Sequence, residues 1–151
     1  PNSNYTSSLM FGIQWDLVCK YLEVKGKLGT ANINSDSSAW GNYSNVGRTI
    51  SSDKAKKGSS WTSITGTKPA SSVLLTAGAS DDTKKMNIYD FAGNEWEWTL
   101  EHATSISYYR CAYRGGDYDS TSSYRPASCR GSDTTTYSDN IIGFRPALYV
   151  N

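Results

Sequence analysis

Residues 90–99, Asp90-Phe91-Ala92-Gly93-Asn94-Glu95-Trp96-Glu97-Trp98-Thr99, decide the fold. Asp90 to Asn94 are turn formers, and a strict alternation begins at Glu95. Trp96, Trp98 and Leu100 fall on one face of an extended chain and Glu95, Glu97 and Thr99 on the other, the period of two that marks a half-buried strand. Large aromatics belong on a core side, so this reading turns Trp96 and Trp98 inward and the two glutamates outward.

Upstream, residues 9–23 read as a helix. Leu9, Ile13, Leu17 and Tyr21 recur every four residues, widened by Met10, Val18 and Leu22, while Gly12 weakens the first turn. Residues 25–85 turn to Gly, Ser, Thr, Asn and Lys with isolated apolar residues, which predicts long loops with short ordered pieces pinned by Trp40 and Trp61. An apolar run at 72–77 reads as a short strand. Downstream, strands are expected at 109–114 and 142–150, the last interrupted at Pro146, with loops over 115–141. The chain enters its helix so early that a strand to pair with residues 145–150 is not evident near the amino terminus.

At 151 residues and 16.6 kDa the chain is expected to form one domain over 1–151, as a whole or as the carboxy-terminal part of a longer protein. The net charge of +1 hides an asymmetry: residues 1–85 carry ten Lys or Arg against six acids, and residues 86–151 carry five Arg against eight acids. No basic stripe develops, so nucleic acid is not an expected partner. No apolar run is long enough to cross a membrane, so direct membrane insertion is not expected either. Cys19, Cys111 and Cys129 read as free thiols, with a Cys111–Cys129 disulfide as the alternative. His102 is the single histidine, which excludes a multi-histidine zinc site, and it reads as a polar loop residue.

Residues 108–145 form a candidate variable region built from Tyr, Ser, Asp, Thr, Arg, Asn and Gly, with no Lys, Gln, Glu, Met or Trp. Tyr gives large contact area at small rotamer cost, and Ser, Asp and Asn give adaptable hydrogen bonds, the chemistry of a binding surface. Candidate ligand-binding positions are Tyr108, Tyr109, Cys111, Tyr113, Asp117, Tyr118, Asp119, Ser120, Tyr124, Arg125, Cys129, Gly131, Ser132, Asp133, Tyr137 and Asp139. Trp96, Trp98, Arg114, Gly115, Gly116, Arg130, Gly143, Phe144 and Arg145 read as scaffold, the arginines tying carbonyls or carboxylates together. Glu95 and Glu97 share a strand face, but nothing else in the sequence makes them a glycosidase pair.

The run from Asp90 to Thr99, followed by Arg114-Gly115-Gly116 and Gly143-Phe144-Arg145 and preceded by Gln14-Trp15-Asp16, resembles the formylglycine-generating enzyme or sulfatase-modifying-factor superfamily. The resemblance spans about residues 9–150 and implies an α+β, C-type-lectin-like fold with one or two helices, a twisted antiparallel sheet and long ordered loops. Enzymatic members carry a cysteine pair before the Gly-Phe-Arg block, and the matching positions here are Ser122 and Ala127. Within the superfamily, the 114–150 region looks most like the variable proteins of diversity-generating retroelements. The resemblance also implies a structural calcium ion, for which Asn94 and Glu97 are candidates; no other cofactor is expected.

These expectations combine into a non-enzymatic binding protein carried by a phage, a prophage or a bacterium. It would sit on a virion tail or a bacterial surface and recognise a protein or glycan receptor, alone, as a homo-oligomer or within a larger assembly. The alternatives are a formylglycine-generating-type oxidase and a purely structural phage or surface domain.

Overall fold

The computed structural model describes residues 4–50, 54–57, 60–104 and 107–150. β1 (Tyr5–Leu9) leads into α1 (Gly12–Val24) and α2 (Gly29–Asn34). The middle of the chain supplies β2 (Arg48–Ile50), β3 (Lys54–Lys57), β4 (Ser60–Ser63), β5 (Gly66–Lys68), β6 (Leu74–Leu75), β7 (Lys84–Lys85) and β8 (Ile88–Tyr89). The last third adds β9 (Trp96–His102), β10 (Cys111–Arg114), β11 (Arg130–Asp133), β12 (Ile142–Phe144) and β13 (Pro146–Val150). The loop-rich reading of 25–85 holds, with short paired strands in place of a structureless run.

The central sheet runs β11-β10-β9-β12. β10 is antiparallel to both β9 and β11, but β12 lies parallel to β9, pairing Ile142 with Trp96 and Phe144 with Trp98. This corrects the expected C-type-lectin-like antiparallel sheet: the sheet is small and mixed. The chain returns across the sheet after the 115–141 loops and enters β12 in the same direction as β9. β13 then separates from β12 at Arg145 and pairs antiparallel with β1 from Leu9↔Pro146 to Tyr5↔Val150. The amino-terminal partner strand that was not evident in the sequence is therefore present. Pro146 opens β13, where its missing N–H costs the ladder least.

α1 forms where predicted but buries a different stripe. Gly12, Trp15, Cys19 and Leu22 face inward, whereas Ile13 and Leu17 are 67% and 61% exposed. The reason lies at Gly12, where an added Cβ would sit 2.3 Å from the Glu101 carboxylate. Lacking that carbon, the start of the helix closes on Glu101 of β9, while Trp15, Cys19 and Leu22 of the same stripe enter the main core. Trp15 stacks on Phe91 at a centroid distance of 3.9 Å and donates its indole N–H to Ala127 O at 3.0 Å. Met10, Leu22, Ile33, Trp40, Tyr43, Ala92 and Ala127 complete this core, and Ile50, Val73, Leu75 and Ala79 form a smaller second one. Trp40 pins its loop as expected, but Trp61 is half exposed.

The two faces of β9 are reversed relative to the sequence expectation. Glu97 and Thr99 are buried on the side that meets α1, together with Ala112 and Arg114 of β10. Trp96, Trp98 and Leu100 point to the opposite side, where burial fades from Trp96 at 4% to Leu100 at 49% exposed.

Candidate functional site

The buried side of the sheet is held by ion pairs, which is why it can be the polar side. Arg114 pairs with Asp16 of α1 and lies 3.8 Å from Glu101, and Arg130 reaches Glu101 at 2.6 Å. Arg145 grips Glu97 through two hydrogen bonds of 2.9 and 2.7 Å and adds one to Tyr89 O. Burial pushes the Glu97 carboxyl above its ordinary range, and Arg145 opposes that shift. A carboxylate desolvated in this way stays in place because each oxygen has a guanidinium partner. Arg114, Arg130 and Arg145 each hold a carboxylate of another element. Gly115 and Gly116, at φ +99° and +79°, fit a turn in which a Cβ would meet Trp15 or Arg125 O.

On the other side, Tyr113 stands edge-on to Trp96 and Trp98, with centroids 4.9 and 5.2 Å apart. Arg125 lies over both the Trp96 and Tyr124 rings, at 5.4 and 4.4 Å. Beyond this aromatic stack the sheet opens into a groove of about 420 Å³ lined by Leu9, Trp98, Thr99, Leu100, Cys111, Thr135 and Phe144. Asp133 is the ladder partner of Cys111, so it stands on the same side at the rim. Phe144, expected as scaffold, is 69% exposed at the groove edge.

The expected binding positions divide into three groups. Tyr108, Asp119, Tyr124 and Asp139 are exposed, and Tyr109, Cys111, Tyr113, Ser120, Arg125, Cys129, Gly131, Ser132, Asp133 and Tyr137 are half-buried. Asp117 and Tyr118 are buried, at 2% and 9% exposure. Asp117 accepts the N–H groups of Asp119 and Ser120 and the Ser120 hydroxyl, closing a turn, and Tyr118 accepts a hydrogen bond from Asn140. Those two hold the loop and do not display on it. Sequence reasoning missed Leu9, Leu100, Thr135 and Phe144 as groove residues and took Trp98 for core. Leu100 and Trp98 could have been found from the alternation of β9, once its acidic side was matched to the arginines of β10 and β11.

Asn94 and Glu97 do not fit a calcium ion. The Asn94 side-chain oxygen accepts from Asn42 and from the Leu75 N–H, and its amide donates to Leu75 O. Glu97 is spent on Arg145, and among the described residues no three His, Cys, Asp or Glu gather as a metal site. A two-thiolate copper site does not fit either. Ser122 and Ala127, at the positions where enzymatic members are expected to carry cysteines, are both fully buried. The three cysteines are free. Cys111 pairs with Asp133 while Cys129 lies just beyond the Arg114↔Arg130 rung, so the two thiols sit at opposite ends of a strand pair, on the order of 10 Å apart. Cys19 is buried under α1, which pushes its thiol up to about 12 and leaves it without nucleophilic character near neutrality.

The sulfatase-modifying factor enzyme 1-like domain family matches residues 13–149. Among solved structures, the crystal structure of CarF superposes with a TM-score of 0.60 over 96% of this chain at 15% identity. This chain spans about half of that one, 47% of its length. Among proteins of curated function none matches significantly. These findings overturn three expectations. The fold is sulfatase-modifying-factor-like and not C-type-lectin-like, with a small mixed sheet and short helices. The expectation of a non-enzyme gives way to a match with a domain family described as enzyme-like. The retroelement variable-protein and phage assignments find no support in either comparison. With nearly the whole sequence covered, from the start of α1 to the end of β13, the chain belongs to the sulfatase-modifying factor enzyme 1-like family.

Proposed function

We propose that this chain grips a segment of another polypeptide in the groove between Trp98, Leu100 and Phe144. The observation that carries the reading is the inversion of the central sheet, which turns its charged side toward α1 and leaves the Leu100 and Phe144 end of its aromatic side open. An apolar concavity rimmed by polar groups is the usual form of a docking site. Tyr113, on the same side of β10 as Cys111 and edge-on to Trp98, adds hydrogen-bonding capacity at low rotamer cost. The family name describes an enzyme that modifies a sulfatase, a protein, and an open groove suits a polypeptide substrate.

Selection of a displayed random-peptide library on the folded protein tests this. Selected peptides are expected to alter the fluorescence of Trp98 and to bind Leu100→Asp at least tenfold more weakly, while that variant keeps the parent melting temperature. Equal binding to Leu100→Asp would place the contact elsewhere and reject the reading.

A second reading, oxidation of a cysteine in the bound segment, is favoured by the family match together with Cys111 in the groove wall. Mass spectrometry of a cysteine-containing peptide, incubated with the protein under air and a thiol reductant in the presence and absence of copper, tests it: the Cβ–S bond breaks, the sulfur leaves as hydrogen sulfide, one atom of O2 becomes the aldehyde oxygen, and the thiol reduces the other to water. Conversion of the peptide cysteine to an aldehyde supports catalysis; an unchanged cysteine rejects it.

A further inference from the structure

We infer that the outer face of the β1–β13 ribbon pairs two copies of this chain about a two-fold axis. The ladder sets Tyr5 opposite Val150, Ser7 opposite Leu148 and Leu9 opposite Pro146, so these six side chains share one face. The alternate residues point the other way and tie the ribbon to the body. Ala147 packs on the main core, and the Tyr149 hydroxyl accepts the Gln14 amide at 3.0 Å. The outer face stands in water, with Tyr5, Leu148 and Val150 at 49, 67 and 77% exposure. It meets the groove only at Leu9, so it is a surface separate from the docking site.

Three observations select a second copy as the occupant. The first is charge. β1 reads Tyr-Thr-Ser-Ser-Leu and β13 Pro-Ala-Leu-Tyr-Val, with no Lys, Arg, His, Asp or Glu in either strand. Exposed strands usually carry lysines or other charges that hold copies apart. A neutral face neither selects a partner of opposite charge nor repels its own kind. The second is shape. The middle rung sets a protruding Leu148 beside a small Ser7, a knob next to a hollow. A two-fold axis lying along the ribbon, midway between its strands, places β1 of each copy over β13 of the other. Each Leu148 then enters the hollow at the other copy's Ser7, and each Tyr5 covers the other copy's Val150, with the two ribbons about 10 Å apart. The third is area. With Ser7 and Pro146, the three apolar side chains leave roughly 500 Å² per copy in water, about 1,000 Å² for a pair, which reaches the lower bound of a specific interface and predicts a weak dimer.

Sedimentation equilibrium of the whole chain, from low micromolar to near-millimolar concentration, tests the inference. The mean mass is expected to climb from one chain to two across that range. Leu148→Glu, which brings a carboxylate from each copy into a neutral contact, should weaken the dimer at least about tenfold, with circular dichroism of the dilute protein reporting the parent fold. Ile13→Glu, on the exposed stripe of α1, and Leu100→Asp, in the groove, should leave the dimer unchanged. Mixing Ser7→Cys with Leu148→Cys under mild oxidation should give a disulfide-linked pair that neither variant gives alone. Library-selected peptides should bind Leu148→Glu as they bind the parent, so the docking reading is judged separately. A chain that stays monomeric at every concentration overturns the inference and leaves the face to a different partner. A dimer that survives Leu148→Glu but dissociates in Ile13→Glu lies on α1 and overturns it as well. A dimer lost only in Leu100→Asp fills the groove with a second copy, and both this inference and the docking reading fall.

Discussion

Replacing Gly131 by alanine measures how tightly the aromatic side of the sheet is built. Gly131 is the ladder partner of Tyr113, and a Cβ there would lie 2.1 Å from one Tyr113 ring carbon and 2.7 Å from another. The ring cannot simply turn away, since it is wedged between Trp96 and Trp98 at 4.9 and 5.2 Å. Either the ring leaves its rotamer or β11 shifts, and overpacking of this kind costs about 1–3 kcal/mol. For a chain of this size that is a fall in melting temperature of roughly 3–9 °C. Truncating the ring with Tyr113→Ala costs about 1–2 kcal/mol of its own through lost aromatic contacts. In the double variant the clash has no partner, so Gly131→Ala should become nearly neutral, a coupling of about 1 kcal/mol or more in a urea-denaturation double-mutant cycle. A neutral Gly131→Ala, or strict additivity of the two changes, would refute the wedged arrangement.

Arg145→Met strands the Glu97 carboxylate, which is 8% exposed, and should cost about 2–4 kcal/mol by chemical denaturation, with Glu97→Gln partly restoring the loss. Lys68 is fully buried with its ammonium on Tyr43 O and Val46 O, and burial together with nearby Arg48 lowers its pKa to about 8. Because the folded value lies below the unfolded one, the folded state releases this proton first. The Lys68 contribution to stability should therefore rise between about pH 8 and 10.5, by at most about 3 kcal/mol, and the gain should vanish in Lys68→Met. Alkylation of the native protein followed by mass spectrometry should modify Cys111 and Cys129 and spare Cys19, whose thiol is buried and raised to about 12.

The sequence announced the existence of the main elements but not which way they face. The alternation in β9 was plain, yet two amphipathic sides look alike until their covering is known. Burial of Glu97 and Glu101 toward α1 depends on Arg145, Arg130 and Arg114, which come from positions far along the chain. The helix was legible as a helix, but its four-residue repeat pointed to Ile13 and Leu17, while Gly12 set the true contact by admitting Glu101. The paired glycines Gly115 and Gly116 were readable because each answers a local demand, a turn at positive φ. The groove was not, since Leu9, Leu100, Thr135 and Phe144 come from four strands or loops that only the parallel β9–β12 pairing and the β1–β13 ribbon bring together.

A photo-crosslinking phenylalanine analogue placed at Phe144, and separately at Ile13, tests the account most directly, since both positions are exposed and apolar but only Phe144 borders the groove. With a library-selected peptide bound, illumination is expected to give a covalent adduct from position 144 and none from position 13. Adducts from position 13 alone would put the partner on α1 and contradict the account.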